Sequence, residues 1–358
     1  MRILIWGNCY PRIGGIETFV GHLAEALIDR GHAVAMLSDA PAGRTVSTHG
    51  APVWSVPMVE PIKAGDPAAI LDAIRGIRQA ITAFAPDIIH YNVAAAECML
   101  FDKVMQSAGI PAVATLHNTL LSQGQSTGAR LLSRSDVVTI VSAYLHATIP
   151  DAAIRSRIRL IPNAVPARAA PGPYPARPHV FALGRMVEEK GFDTLIDAFA
   201  SVVQAHHGAV LTLAGNGPIR SALEARAAAR GIADAVAFPG WIEPGDVPAA
   251  LASAAVVAMP SRWQEPFGLV ALEAGHAARP CVAAHVGELP SIIVDGETGR
   301  LVPPDDPKAL AHALIGFLAD PAAAEAAGCR ARQRMAAHFD FGRMVDAYVS
   351  AYECARRG

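Results

Sequence analysis

Short apolar segments alternate with longer amphipathic segments along almost the whole of this chain, and they do so in two separate series. The first series opens with a buried strand at residues 2–6 and a helix from residue 16, whose apolar side chains recur on one face. Further strands of this series are predicted at residues 33–37, 87–90, 112–116 and 137–141. The second series has predicted strands at residues 179–183, 210–214, 236–238, 256–259 and 281–283. Strands separated by helices of this length indicate parallel βαβ units, so the sequence predicts the α/β class.

A proline-rich segment separates the two series. Six prolines lie between Pro162 and Pro178 inclusive, and such a run can continue neither a helix nor a sheet. The chain is long enough, at 358 residues, for two domains of ordinary size. We therefore predict two doubly wound, Rossmann-like domains that face each other across a cleft, with ligands bound outside the carboxyl ends of the strands.

Composition and charge narrow the class of partner. The formal net charge is −2, which argues against nucleic acid as a partner and allows at most a peripheral membrane contact. No segment reaches the roughly 18 consecutive apolar residues of a membrane span, and the apolar N-terminus is too short for a signal peptide. Five scattered cysteines without a C-x-x-C pair give little support to disulfides or structural zinc. These features predict a cytoplasmic protein.

One segment after the predicted strand at residues 256–259 carries two carboxylates and a helix start. The amides of Phe267, Gly268 and Leu269 would be unpaired donors at the positive end of a helix that runs to residue 278, an arrangement that binds phosphate or sugar hydroxyls. Glu265 precedes this helix and Glu273 lies within it, so the two carboxylates would border one pocket. The alternative is that Glu265 is only a carboxylate at the helix start, which the helix dipole favours, and that Glu273 is a solvated helix residue.

A second segment places two cations at the end of the first strand of the second series. Arg185 and Lys190 flank a turn that closes on Gly191 and leads into a helix. An arginine fork and a lysine point charge at the mouth of a Rossmann-like domain suit a diphosphate. The alternative is a solvated loop in which these cations pair with Glu188 and Glu189.

Taken together, these segments resemble the retaining glycosyltransferases of family 4, also described as glycosyl transferases group 1, which have the GT-B fold. The resemblance covers nearly the whole chain. It is carried by residues 14–17, 30–34, 86–90, 161–165, 184–191 and 215–218, and most specifically by the family's E-x7-E pattern from Glu265 to Glu273. It implies an N-terminal acceptor-binding domain at residues 1–165 and a C-terminal donor-binding domain at residues 166–339. The last segment, residues 340–358, resembles the helix that crosses back onto the first domain.

The resemblance also implies roles for the matching residues of the second domain. Arg185 and Lys190, beside Gly184, would neutralise the diphosphate of the donor as it leaves. Glu265 would hold hydroxyls of the donor sugar, with the helix-start amides nearby. Glu273 would accept hydrogen bonds from the ribose hydroxyls.

Three residues of the first domain match the family as well. Gly14 and Gly15 would form the loop whose backbone approaches the diphosphate and the transferred sugar. His117 matches the family's histidine at a strand end facing that sugar. The alternative for His117 is a strand-end histidine satisfied by the backbone.

The implied activity is transfer of a sugar from a nucleotide diphosphate to a saccharide, glycolipid or small-molecule acceptor, with a UDP-sugar slightly favoured over a GDP-sugar. The leaving group is already good, so the main chemical task is electrostatic stabilisation of the diphosphate. Retention would follow if the acceptor attacked from the departing side and passed its proton to the leaving phosphate, so no general base is assigned. No D-x-D metal motif occurs, and we predict neither a metal nor another cofactor.

One loop departs from the family pattern. Glu288 stands where the family usually has the second of two glycines, and Ser291 replaces a glutamate. A carboxylate added near a diphosphate is unfavourable unless it faces a hydroxyl or a cation. Either the donor loop is reshaped or Glu288 recognises part of the sugar.

Four other functions compete with glycosyl transfer. An NAD-dependent dehydrogenase would use Asp39 as its ribose ligand, but the first loop lacks G-x-G-x-x-G. A phosphorylase or nucleotide-sugar epimerase could share the fold. A nucleotide-sugar-binding protein without turnover is the non-enzymatic alternative, and the intact pairs of carboxylates and cations argue against it.

Overall fold

The computed structural model describes residues 1–7, 14–47, 50–92, 97–119, 131–167 and 172–357. The chain divides into two compact units. The first unit comprises residues 1–163 together with 341–358, and the second comprises residues 164–340.

A mixed, mainly parallel sheet forms the centre of the first unit. Its described strands are β1 (Arg2–Trp6), β2 (Ala33–Asp39), β3 (Gly43–Val46), β4 (Pro52–Val56), β5 (Ile88–Asn92), β6 (Ala112–Leu116), β7 (Val137–Ile140) and β8 (Ile158–Leu160). The strand order is β3-β4-β2-β1-β5-β6-β7-β8, and every neighbouring pair is parallel except β3–β4. The five predicted strands are present, and β3, β4 and β8 were not predicted. All four residues of β3 are exposed, so it has no apolar run to reveal it.

Helices cover the first sheet through their apolar faces. The described helices up to residue 163 are α1 (Gly15–Asp29), α2 (Val59–Ala64), α3 (Pro67–Phe84), α4 (Cys98–Ala108), α5 (Ala143–Ala147) and α6 (Ala152–Arg155). Local sequence explains where α3 begins: Pro67 occupies the first turn, and the Asp66 carboxylate accepts the amides of Ala68 and Ala69 at 2.9 and 3.1 Å.

A fully parallel sheet forms the centre of the second unit. Its described strands are β9 (His179–Leu183), β10 (Val210–Ala214), β11 (Val236–Gly240), β12 (Val256–Met259), β13 (Cys281–Ala284) and β14 (Gly299–Val302). The order is β11-β10-β9-β12-β13-β14, so the direction of winding reverses between β9 and β12. This is the order of a Rossmann-type doubly wound sheet. The five predicted strands are confirmed, whereas β14, which contains Arg300, was missed.

The helices of the second unit alternate with these strands. They are α7 (Phe192–Ala205), α8 (Arg220–Ala229), α9 (Val247–Ala252), α10 (Leu269–His276), α11 (Leu289–Ile292), α12 (Pro307–Ala319) and α13 (Pro321–His338), with 3-10 turns at Glu188–Lys190 and Ala233–Ala235. The predicted end of α10 at residue 278 was wrong. The helix ends at His276 because Ala278 turns left-handed, with a φ of 53°. An added Cβ at Gly328 of α13 would lie 2.1 Å from the Ala278 oxygen, so a glycine is needed there.

The last helix, α14 (Phe341–Arg357), returns to the first unit. Tyr348 and Tyr352 are buried, and the helix packs against β5, β6 and β7. The Tyr352 hydroxyl lies 2.8 Å from Nδ1 of His90 on β5. Both units are therefore Rossmann-like, and the predicted α/β class is confirmed. Among the residues described above, no helix combines the length and apolarity needed to cross a membrane.

Candidate active site

The carboxyl ends of β9 and β12 bring a predicted cation and a predicted carboxylate together. The two strands are neighbours at the reversal of the sheet, where ligands of doubly wound sheets bind. β9 leads to the Lys190 turn (Glu188–Lys190), and β12 leads to the Glu265 loop (residues 260–268). Lys190 Nζ lies 2.6 Å from Oε1 of Glu265. The lysine therefore pairs with the loop carboxylate and not with the glutamates of its own turn.

Glu265 is buried, and one of its two oxygens is already occupied. Only 5% of the residue is exposed, and Oε1 accepts hydrogen bonds from Ser261 Oγ at 2.5 Å and from Lys190. Within the part of the chain that the structure describes, Oε2 accepts no hydrogen bond. A carboxylate has about four acceptor positions, so Oε2 is the atom that can bind a substrate hydroxyl.

Two glycines allow the neighbouring backbones to approach the Glu265 loop. Gly191 has a φ of +65°, and a Cβ there would lie 2.1 Å from the Pro260 oxygen. Gly287 has a φ of +55°, and a Cβ there would lie 2.1 Å from the backbone carbonyl oxygen of Glu265. Both positions require glycine, in conformation and in space. The contact at Gly191 presses the Lys190 turn against the loop that carries Glu265.

Arg185 differs from Lys190 because no described carboxylate balances its positive charge. Its neighbour Gly184 donates to the Ala214 oxygen at 3.0 Å, and a Cβ on Gly215 would lie 2.0 Å from the Gly184 oxygen. The Arg185 side chain is exposed. It forms no hydrogen bond or ion pair with any residue that the structure describes. The charge of Lys190 is balanced by Glu265, whereas the charge of Arg185 is available for an anion.

The start of α10 presents backbone hydrogen-bond donors a few residues after Glu265. Gly268 has a φ of +110° and precedes Leu269, the first residue of the helix, without a side-chain cap. Phe267 is buried, and its ring centroid lies 6.1 Å from that of Phe339. The first amides of a helix have no intrahelical partner. The predicted trio of residues 267–269 therefore lies at a helix start, in the arrangement expected for anion binding.

The remaining carboxylates of the second unit differ in burial. Glu273 is half-buried on α10. Glu288 is 4% exposed and directly precedes α11. Its backbone amide donates to the backbone carbonyl oxygen of Glu265 at 3.0 Å. Ser291 is exposed on α11. The residue that replaces a family glycine is thus next to Glu265, whereas the residue that replaces a family glutamate is not buried.

Gly14 and Gly15 lie at the start of α1 in the first unit. Gly14 precedes the helix with an extended backbone, and its oxygen accepts the Thr18 amide at 3.0 Å. An added Cβ at Gly14 would lie 2.5 Å from Oε2 of Glu17. The helix start is therefore compact, and residues 8–13 of the predicted loop lie outside the described residues.

His117 follows β6 and is held by side chains. It is buried, with Nε2 2.9 Å from Oδ1 of Asn92 and its ring centroid 5.0 Å from that of Phe19. Burial lowers the pKa of His117 to about 3. The imidazole is therefore neutral near pH 7, and the contact assigns the ring proton to Nε2. Its partner is a side-chain amide, not the backbone that the alternative interpretation required.

Asp39, the residue that a dehydrogenase would need for ribose, has a structural role. Its Oδ1 accepts the amides of Met58 and Val59 at 2.6 and 3.1 Å, which caps the start of α2. The carboxylate is thus already engaged by backbone donors.

Sequence reasoning missed Ser261 and Asn92, which orient Glu265 and His117. Ser261 lies inside the motif but gave no signal of its own, because its contact depends on the turn of the loop. Over the described ranges, no group of three or more His, Cys, Asp and Glu side chains is arranged to hold a metal ion.

Two family profiles match the chain. The one described as "Glycosyl transferases group 1" matches residues 167–334, and the one described as "Glycosyltransferase Family 4" matches residues 13–169. The first match covers β10, β12 and the Glu265 loop, and the second covers most of the first unit.

Curated relatives align over nearly the full chain. Glycogen synthase of Mycobacterium tuberculosis (strain ATCC 25618 / H37Rv) is 30% identical over 404 residues, which cover 100% of this chain and 96% of that protein. The GDP-mannose-dependent alpha-(1-6)-phosphatidylinositol monomannoside mannosyltransferase of the same strain is 28% identical over 365 residues, which cover 94% of each chain.

Solved structures share the fold over the same extent. Sucrose-phosphate synthase from Thermosynechococcus elongatus is 23% identical and has a TM-score of 0.84, with 98% of each chain covered. Anabaena HepE in complex with UDP and glucose is 20% identical and has a TM-score of 0.80, with 99% of each chain covered.

Proposed function

The chain belongs to the glycosyltransferases of group 1 and family 4, and we propose that it transfers a sugar from a UDP-sugar, with retention of the anomeric configuration and without a metal. Family membership establishes a hexosyltransferase that uses a nucleotide sugar. None of the relatives reported above is a dehydrogenase, an epimerase or a phosphorylase. The nucleotide base, the stereochemistry and the metal independence belong to the proposal.

The observation that carries the proposal is the cluster of Lys190, Ser261 and Glu265, together with Arg185, which forms no side-chain hydrogen bond or ion pair with the described residues. As the anomeric C–O bond breaks, negative charge grows on the diphosphate. In the proposal, Arg185 and the amides at the start of α10 donate hydrogen bonds to that charge. Removing one preorganised donor of this kind typically costs about 2.7–4 kcal/mol of barrier. Ser261 and Lys190 hold Glu265 by one oxygen and leave the other for a donor hydroxyl.

Retention follows from a transfer in which the acceptor attacks on the side from which the diphosphate leaves. The acceptor proton then passes to an oxygen of the leaving phosphate, so this route needs no protein base. His117 supports the absence of a protein base, because burial lowers its pKa to about 3 and its Nε2 proton is donated to Oδ1 of Asn92.

The choice of UDP is supported by HepE, whose structure contains UDP and glucose, while the mycobacterial mannosyltransferase is GDP-mannose-dependent. The proposed acceptor is a saccharide, a glycolipid or a small molecule. We propose that the protein makes at most a peripheral contact with a membrane and does not bind nucleic acid. The cytoplasmic location stays a prediction.

The test is a panel of UDP-, GDP-, ADP- and TDP-sugars, with EDTA present, followed by thermal shift and donor hydrolysis. A donor at 100 times its dissociation constant stabilises by about 2.7 kcal/mol. Stabilisation by UDP-sugars, lost in Glu273→Ala and Arg185→Ala but kept in Arg300→Ala, is the expected result. Arg300 is the matched control because it forms an exposed pair with Asp295. Stabilisation by another base alone overturns the UDP assignment, and no stabilisation by any donor overturns the proposal.

Stereochemistry and metal independence are read from the product. Anomeric proton couplings of the transferred sugar, compared with those of the donor, should show the same configuration, and an inverted product refutes retention. Turnover should be unchanged by EDTA, so loss of turnover that magnesium or manganese restores refutes metal independence.

A further inference from the structure

Arg262, in the Glu265 loop, binds groups from two other loops at once. Its Nη2 donates to Oδ2 of Asp193 at 2.7 Å and to Oγ1 of Thr194 at 3.0 Å. Its Nη1 donates to the Glu188 oxygen at 3.0 Å, and its Nε contacts Oδ1 of Asp305. Asp193 and Thr194 open α7, and Asp305 follows β14. One guanidinium thus ties together the loops that follow β9, β12 and β14.

Arg262 and Asp193 shift each other's pKa. Burial raises the pKa of Asp193, but the hydrogen bond and the charge of Arg262 outweigh this and leave that pKa below its ordinary value. The hydrogen bond to Asp193 holds the pKa of Arg262 above its ordinary value. Both side chains are less than one-third exposed, at 29% for Arg262 and 27% for Asp193. A lysine could not reproduce these contacts, because only the planar fork reaches several acceptors at once.

These contacts act directly on the Lys190 turn. The Glu188 oxygen accepts from the Arg262 side chain, and the Glu189 oxygen accepts from the Arg262 amide at 2.8 Å. Glu188 and Glu189 are the first two residues of the turn that ends at Lys190. On the far side of Lys190, Gly191 packs on the Pro260 oxygen. Lys190 is therefore held on both sides by the loop that carries Glu265.

We propose that Arg262 is a positioning residue for sugar transfer, which sets the distance between Lys190 and Glu265 without touching the substrate. This inference rests on the proposed function. It gives Arg262 a role that the family resemblance did not imply. Trp263 assists, since its ring centroid lies 5.6 Å from Lys190 Nζ. A misplacement of about 1 Å in a catalytic group typically costs about 100-fold in rate.

The test compares Arg262→Met with Arg226→Met. Arg226 donates to both oxygens of Asp197 on α7, at 2.7 and 2.5 Å, but forms no hydrogen bond with the described Glu265 loop. Each variant removes an arginine that pairs with an aspartate of α7. Arg226→Met leaves Asp197 paired with Arg230, so its thermal unfolding should shift less than that of Arg262→Met. The turnover number should fall about 100-fold in Arg262→Met, with little change in the KM of the donor. It should stay at the wild-type value in Arg226→Met.

A double-mutant cycle then tests whether Arg262 acts through Lys190. If it does, Arg262→Met combined with Lys190→Met should be no slower than Lys190→Met alone. Asp305→Asn provides a variant that keeps the fold, because asparagine tolerates the φ of +56° at that position. It should lower the turnover number less than Arg262→Met and leave the KM of the donor unchanged.

The outcomes separate the two proposals. No turnover by the wild-type protein with any donor overturns the proposed function, and this inference with it. Turnover by the wild type, with equal rates in Arg262→Met and Arg226→Met, overturns the inference alone. Additive losses in the cycle also overturn it, because Arg262 would then act independently of Lys190. An Arg262→Lys variant that recovers full turnover would show that charge, not the fork, is what matters, and would overturn the positioning role.

Discussion

Replacing Glu97 with glutamine should remove a pH-dependent loss of stability from the first unit. Glu97 has no exposed surface, and its Oε2 accepts from Nε1 of Trp6 at 3.2 Å. Its Oε1 is buried without a hydrogen-bond partner in the described part of the chain. Burial, and then the charge of Asp39, raise the pKa of Glu97 from 4.5 to about 7. The folded protein therefore keeps a proton that the unfolded chain releases.

The sign and size of the effect follow from linkage. Between pH 4.5 and about 7 the native state binds more protons at Glu97 than the unfolded state, so this carboxyl lowers stability as pH rises through that window. Above about pH 7 both states are ionised and the loss stays constant. A shift of 2.5 units, from 4.5 to 7, corresponds to roughly 3 kcal/mol at about 1.4 kcal/mol per unit. The glutamine amide adds a buried donor of its own, which costs about 1–3 kcal/mol at every pH. The change with pH is therefore the informative quantity.

Hydrogen exchange of β1 and β5 peptides at pH 5, 6, 7 and 8, corrected for intrinsic rates, isolates the first unit. The opening free energy of Glu97→Gln minus that of the wild type should rise by roughly 3 kcal/mol from pH 4.5 to pH 7, and most of that rise falls between pH 5 and 7. Taking the difference cancels titration elsewhere in the unit. Glu60→Gln is the control, because Glu60 is an exposed partner of Lys63. A difference that stays flat with pH would refute the argument that Glu97 carries a raised pKa.

Three further predictions concern buried contacts. Burial and the nearby His117 lower the pKa of His90 from 6.5 to about 3, so stability should fall as pH drops from 6.5 to 3, by up to about 1.4 kcal/mol per unit. Urea unfolding of His90→Gln should show a weaker acid dependence. Tyr352→Phe should cost about 1–3 kcal/mol, seen as faster hydrogen exchange in α14, because a ring nitrogen of His90 loses its partner. Gly191→Ala should destabilise the second unit by more than the ~1–2 kcal/mol of left-handed strain alone, since its Cβ meets a backbone oxygen. Urea unfolding of Gly208→Ala, whose added Cβ meets no atom within 4 Å, measures that strain by itself.

The sequence predicted the parts of the fold that depend on local pattern. The central strands are continuous apolar runs, and a parallel sheet buried on both faces requires such runs. The exposed β3 and the short β14 with Arg300 lack that pattern, so periodicity could not find them. Helix ends were less accurate, because α10 ends where Ala278 adopts a left-handed conformation that alanine rarely takes.

The candidate site shows the same division. Residues of the two motifs do meet at one edge of the second sheet, since the carboxyl ends of β9 and β12 are neighbours. The pairing of Lys190 with Glu265 could not be predicted, because it depends on how two loops turn after their strands. The contact of Arg262 with Asp305 joins residues that are 43 positions apart. Such a contact is set by tertiary packing, which a single sequence does not encode as spacing.

The close backbone contacts near the carboxyl ends of β9 and β12 also limit which substitutions could change the preference for the nucleotide-sugar donor. Gly191, Gly215 and Gly287 each pack against a carbonyl so tightly that any side chain would collide with it. We therefore expect substitutions at these three positions to be poorly tolerated, so the backbone around the Glu265 loop is constrained. Glu288 and Ser291 lie next to that backbone and already differ from the family pattern. A mutant library for altered donor preference should keep the three glycines and randomise these two positions.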